Sequence, residues 1–307
     1  MTASTPIVSG KADSAFTQLR RRAFFQRVLG FFTGHEPGGL LSFDEVRDKL
    51  QIRGQHYSGL QTIPLYQIIG TVGRYHEFNR AFLPTQEHIR ARWKRIYQAA
   101  HEQGFPPIEV YRVGDAYFVR DGHHRVSVLK ELGATTVEAY VTEFETPVPL
   151  PPDTDAAELD LKREYAAFLR ETRLADLRPG QQIEFTLPGQ YSKLQEHIAV
   201  HRHYLGLREQ REIPYNESVA RWYDEVYMPV VQIIRQAGVL DDFPGHTEAD
   251  LYLWLIEHRH YLSERYGKDV PLEQAAAAFT EEFSTGAARK RLEAETTRAV
   301  DAQDRTG

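Results

Sequence analysis

The sequence predicts a mixed α/β domain followed by an almost wholly helical one. Three observations carry this. Residues 108–142 switch between the period-2 alternation of strands and the period of a helix within one short stretch. Four prolines then fall within six residues, Pro147, Pro149, Pro151 and Pro152, where neither a helix nor a central strand can continue. Beyond them the apolar spacing is helical nearly to the end. The expected organisation is a basic N-terminal helix over residues 1–35, an α/β (α+β) domain over 36–146, a proline-rich linker or extended strap over 147–155, a helical domain over 156–285 and a charged tail over 286–307.

Taken in order, the first segment reads as a basic amphipathic helix. Phe16, Leu19, Ala23, Phe24, Val28 and Phe31 lie near one side, and Arg20, Arg21, Arg22 and Arg27 interrupt any apolar run. Packing on its own domain is the simpler role for such a helix, so no membrane partner is expected. Ser42-Phe43-Asp44-Glu45 has the form of a capping box opening a short helix to Leu50. Thr62–Ile69 is β-rich, and Glu87–Gln103 places Ile89, Trp93, Ile96, Tyr97 and Ala100 on one side of a helix.

Ile108–Val113 alternates as a half-buried strand, Gly114-Asp115 turns, and Ala116–Val119 returns as the second arm of a hairpin. Asp121-Gly122 then leads into a helix from His123 to about Leu132, ended by Gly133, and Thr136–Thr142 forms a further strand. After the prolines, helices are expected at Ala156–Arg173, at Ser192–Leu205 with Ser192 as N-cap, at Glu217–Ala237, from Thr247 to about Tyr266, and at Leu272–Phe283. Gln182–Leu187 reads as a strand or an extended connector.

With 307 residues there is room for two cores. The absence of cysteine excludes disulfides, thiol nucleophiles and cysteine-held metals, and fits a cytoplasmic location. Net charge is −6, but residues 1–150 hold 18 Lys/Arg against 15 Asp/Glu, so the remainder carries −9. An acidic second half is a poor surface for phosphodiester backbones, which disfavours DNA as a partner there.

The chemistry concentrates in Asp121-Gly122-His123-His124-Arg125. A glycine at a strand-to-helix junction allows close backbone approach, and the first helical turn offers unpaired N–H groups and the positive end of the helix dipole. That is an anion site, to which Arg125 adds a forked cation and His123 and His124 add donors. Asp121 could cap the helix, orient a histidine, hold Mg²⁺ or act as a general base. The pair His197 and His201, the aromatic stripes Trp222-Tyr223-Tyr227 and Tyr252-Trp254, and the acidic pair Asp241-Asp242 are read as packing or solvated faces.

Ile108–Glu143, centred on Tyr117-Phe118-Val119-Arg120-Asp121-Gly122-His123-His124-Arg125-Val126-Ser127-Val128, resembles the ParB/sulfiredoxin superfamily of bacterial and related proteins. The resemblance extends over about residues 60–145, with Ile63–Ile69 and Arg74 matching an earlier strand that leads to an arginine. It implies that Gly122, His123, His124 and Arg125, with Arg74, bind the phosphates of CTP, ATP or ADP with Mg²⁺, and that Asp121 or His124 moves a proton. A nucleotide-dependent phosphotransferase or hydrolase acting on a small-molecule acceptor is the function implied. The alternative is a ParB-like, DNA-associated regulator that switches without turnover, and the helical half could serve as a homodimer surface. Sulfiredoxin chemistry is excluded, because His123 stands where that family has its cysteine. The second half resembles uncharacterised bacterial proteins and implies no activity.

Overall fold

The structure is a computed structural model, and it describes residues 5–33, 39–52, 54–74, 76–102 and 104–283. The chain forms two compact units, divided between Ala166 and Ala167. The expected charged tail over 286–307 lies outside the described residues.

The first unit begins with helix α1 (Thr5–Thr33). A two-residue strand β1 (Leu41–Ser42) leads into α2 (Phe43–Leu50), whose Ser42 hydroxyl accepts from the Glu45 N–H, as the capping pattern required. Then come β2 (Gln55–Pro64), a 3₁₀ turn, β3 (Ile68–Thr71) and α3 (Arg90–Glu102). The hairpin β4 (Ile108–Val113) and β5 (Ala116–Asp121), helix α4 (His123–Glu131) and β6 (Thr136–Phe144) follow at the expected places. The β-rich run Thr62–Ile69 is not one strand but the end of β2, the 3₁₀ turn and the start of β3. Pro64, which cannot donate to a ladder, stands where the run breaks.

These strands form one six-stranded sheet in the order β1-β3-β5-β4-β6-β2. β1, β3 and β5 run parallel, with Leu41 opposite Gly70 and Thr71 opposite Val119. β4 returns antiparallel to β5, and β6 lies parallel to β4. One buried cluster unites the sheet with the helices: Phe16 and Leu19 of α1, Ile89 and Trp93 at α3, and Val126 and Val128 of α4 pack with Ile108, Val110, Val119, Ala139 and Val141. The Trp93 indole N–H donates to Ser127 Oγ at 2.9 Å, tying α3 to α4 inside this layer. On the opposite face Phe43 of α2 packs against Tyr111 and Phe144 at ring distances of 4.7 and 4.8 Å.

The proline segment stays with this unit as a strap. Val148 and Leu150 are buried, the Asp115 N–H donates to Leu150 O, and Arg80 donates to the carbonyls of Pro152 and Thr154 at 2.8 and 2.9 Å. The division between units therefore falls inside the next helix, α5 (Ala156–Thr172), rather than at the prolines. α1 also departs from its expected single stripe. Phe16, Leu19 and Ala23 are buried, whereas Phe24 is 54% exposed, because it lies off the face that the other three share.

The second unit is helical: α6 (Leu174–Leu177), α7 (Gln190–Glu209), α8 (Tyr215–Trp222), α9 (Met228–Ala237), α10 (Glu248–Tyr266) and α11 (Leu272–Phe283). Gln182–Leu187 is a connector without strand pairing. α7 starts two residues before Ser192, at a glycine N-cap, and the Ser192 hydroxyl donates instead to Gly189 O. The expected helix Glu217–Ala237 is broken by a π-helical turn at Tyr223–Tyr227. α10 carries a full capping box between Thr247 and Asp250.

Candidate functional site

Three parallel strands end at the same edge of the first unit, and each hands the chain to a different element. β1 opens α2, β3 opens the loop that carries Arg74, and β5 opens α4. Loops and helix N-termini collected at the carboxyl ends of parallel strands are where open α/β sheets bind ligands. Arg74 and Asp121–Arg125, about 50 residues apart in sequence, are thereby brought to one place.

Gly122 makes the junction possible. Its φ of 108° belongs to a region that L side chains rarely adopt, and a Cβ there would stand 2.5 Å from Ile108 Cγ2. As N-cap it offers no capping side chain, so the first-turn amides of α4 have no intrahelical acceptor.

His123 is 4% exposed, and its Nε2 lies 2.5 Å from the Thr71 hydroxyl. That hydroxyl donates to Val119 O and accepts from the Arg74 N–H, each at 3.4 Å, so the network assigns the proton to His123 Nε2. Burial, helped by the Arg74 charge, pushes the His123 pKa down to about 4. His124 is 5% exposed, packs edge-on against Phe78 at 5.4 Å, and has no hydrogen-bond partner for Nδ1. Burial, with Arg92 as the next cause, pushes its pKa down to about 4 as well. Both imidazoles are neutral at neutral pH.

Arg125 is placed differently from the expectation that it neutralises a phosphate. Its guanidinium donates to Pro106 O and Pro107 O, both at 2.8 Å, and pairs with the Asp121 carboxylate one turn away. It thus clasps the entry of β4 to the start of α4. Asp121 is committed to the same clasp although its side chain is 60% exposed. Arg74 is the freer cation, 42% exposed and 3.1 Å from Glu77. Among the described residues no three His, Cys, Asp or Glu side chains gather as a metal site, so a Mg²⁺ ion at Asp121 would need most of its ligands from elsewhere.

Thr71, Phe78 and Arg92 belong to the site but carry no local sequence signal; only the pairing of β3 with β5 and the packing of α3 reveal them. In the second unit, His197 Nδ1 lies 3.0 Å from the buried Tyr252 hydroxyl, and His201 Nε2 lies 3.8 Å from Glu225.

Residues 189–283 match a family described as a domain of unknown function, DUF4032. No curated protein matches the chain. Among solved structures the chain is similar to sulfiredoxin from Arabidopsis thaliana, at 20% identity and a TM-score of 0.22, over 28% of this chain and 86% of that one. It is also similar to a Pnob8-like ParB-N domain, at 12% identity and a TM-score of 0.20, over 74% of this chain and 81% of that one. Likeness at this level is silent on ligand and activity.

Proposed function

We propose that the first unit binds the phosphates of a nucleotide, such as CTP, ATP or ADP, at the carboxyl ends of β3 and β5. The observation that carries the reading is the convergence of Arg74 with the uncapped first turn of α4, its glycine N-cap and two buried neutral histidines. Amides of the first turn would take phosphate oxygens, and Arg74, by exchanging Glu77 for the ligand, would neutralise them. The unpartnered His124 Nδ1 supplies one further polar atom beside them. Arg125 and Asp121 act here as the frame that holds α4 on β4. Mg²⁺ would arrive with the nucleotide, coordinated mainly by phosphate and water, with the exposed edge of Asp121 as one protein ligand.

Phosphotransfer or hydrolysis is the finer form of this reading. His124 is the better placed proton acceptor, since the Asp121 carboxylate is held by Arg125. A pKa near 4 makes it a weak base, so affinity is the property to test first.

The test is thermal unfolding of the intact chain with CTP, ATP, ADP and GTP plus Mg²⁺, on the wild type, Arg74→Ala and His124→Gln. A nucleotide at about a hundred times its Kd should stabilise the fold by about 2.7 kcal/mol, with the shift lost in Arg74→Ala. Absence of a shift with every nucleotide, or an equal shift in both variants, refutes the reading. Phosphate release on the nucleotide that binds then separates turnover from binding alone.

A further inference from the structure

α1 is apolar on two opposite sides. The first, Ala12, Phe16, Leu19 and Ala23, is buried in the core of the unit. The second comprises Phe24, Phe25 and Leu29, which are 54%, 51% and 61% exposed. At about 100° per residue Phe25 and Leu29 lie one turn apart on the side away from the buried four, and Phe24 flanks them on that same outward half of the helix. A face buried in the core is ordinary; large apolar side chains turned to solvent on the opposite side of the same helix mark a contact surface.

The charges beside the strip indicate what it contacts. From Arg20 to the end of the helix there are four arginines and no acidic residue. Arg20 and Arg27 fall along one border of the strip and Arg22 along the other, with Arg21 at its head. The guanidinium of Arg21 lies 5.8 Å from the centre of the Phe25 ring, and that of Arg27 lies 5.8 Å from the Phe24 ring. Arg20 and Arg22 pair with Glu87 and Glu131, while Arg21 and Arg27 are exposed. Rings that enter an apolar layer, bordered by long cations that stay at its charged surface, fit a helix lying in the plane of a membrane interface. No helix among the described residues is long and apolar enough to cross a membrane, so the contact would be with the surface.

We propose that the outer face of α1 docks the protein onto an anionic lipid surface, with Phe24, Phe25 and Leu29 inserted among the acyl chains and Arg20, Arg21, Arg22 and Arg27 meeting the headgroups. This surface is independent of the phosphate site. A second copy packed helix to helix would have to match both the strip and four arginines, and the single acidic residue of α1, Asp13, is already held by Arg90 and Lys94. Duplex nucleic acid would match the arginines and leave the rings in water.

The experiment is co-sedimentation of the full-length protein with vesicles of phosphatidylcholine alone and of phosphatidylcholine with phosphatidylserine, in low and high salt. It compares the wild type, Phe24→Ser/Phe25→Ser and Arg21→Glu/Arg27→Glu. Circular dichroism and size measured by light scattering accompany each. Binding is expected only to the phosphatidylserine vesicles, weakened by salt and reduced at least about tenfold by either pair of substitutions. The arginine pair keeps the test decisive should the serine variant misfold. Failure to bind phosphatidylserine vesicles, or equal binding by a folded variant, overturns the proposal. So does a dimer that the Phe24→Ser/Phe25→Ser change dissolves, which would assign the strip to a second copy. Tight binding of duplex DNA that the arginine change abolishes and the serine change spares would assign it to nucleic acid.

Discussion

Replacing Gly122 by alanine perturbs the site at its most constrained atom. Two costs add. The backbone sits at φ 108° and ψ 16°, and holding an L residue with positive φ costs about 1–2 kcal/mol. The new methyl would also lie 2.5 Å from Ile108 Cγ2 and 2.9 Å from its Cβ. Ile108 is fully buried and pinned opposite Ala139 in the middle of the sheet, so it cannot give way cheaply, and overpacking of this kind costs about 1–3 kcal/mol. The sum is about 2–5 kcal/mol. Gly133, at the other end of α4, is the internal control. It also has positive φ, 76°, but a methyl there meets nothing within 4 Å. Gly133→Ala should therefore cost about 1 kcal/mol, partly offset by the stiffer unfolded chain. Hydrogen exchange read on peptides spanning residues 108–132 reports this unit separately from the helical one. The reasoning fails if Gly122→Ala loosens α4 no more than Gly133→Ala does.

Three further outcomes follow from the same geometry. His123 and His124 have native pKa values of about 4 against an ordinary 6.5, so the unfolded chain binds more protons between those limits. Stability should be full above pH 6.5 and fall as the pH drops towards 4, by at most about 3 kcal/mol per histidine. Denaturant titrations across this range check it, and a slope unchanged in His123→Gln and His124→Gln would contradict it. Arg125→Lys cannot span Pro106 O, Pro107 O and Asp121 with one ammonium, and should cost about 1–3 kcal/mol in denaturant unfolding even without ligand. An Arg125→Lys protein of wild-type stability but weakened phosphate affinity would restore Arg125 as a direct ligand. Thr247→Ala removes the N-cap of α10 and its bond to Glu184 O, and should cost about 1–2 kcal/mol, seen as faster exchange in the first turn of that helix.

Much of the first unit could be read locally. The hairpin Ile108–Asp121, the entry to α4 and the caps at Ser42 and Thr247 are written in alternation, turn residues and short-range hydrogen bonds, which act within a few residues. The first part of β2 was not legible. Its residues, Gln55 to Gln61, are largely polar and exposed, and they are extended because β6 pairs with them, with Tyr57 opposite Thr142. The two-sided character of α1 escaped for a related reason, since helical periodicity places Phe24 near Ala23 in sequence without saying which side meets the core.

The candidate site divides in the same way. Gly122, the two histidines and the helix start were fixed by a five-residue segment, because the backbone demand and the free amides are local properties of that turn. Sequence alone also settled that no cysteine chemistry operates here. Only the tertiary structure decided that Arg125 turns inward to the Pro106 and Pro107 carbonyls, that Thr71 holds His123, and that Arg74 is the cation left facing outward. Those assignments depend on β3 and β5 lying side by side and parallel, and a contact between strands some 50 residues apart is set by the packing of the whole sheet rather than by any residue's own preference.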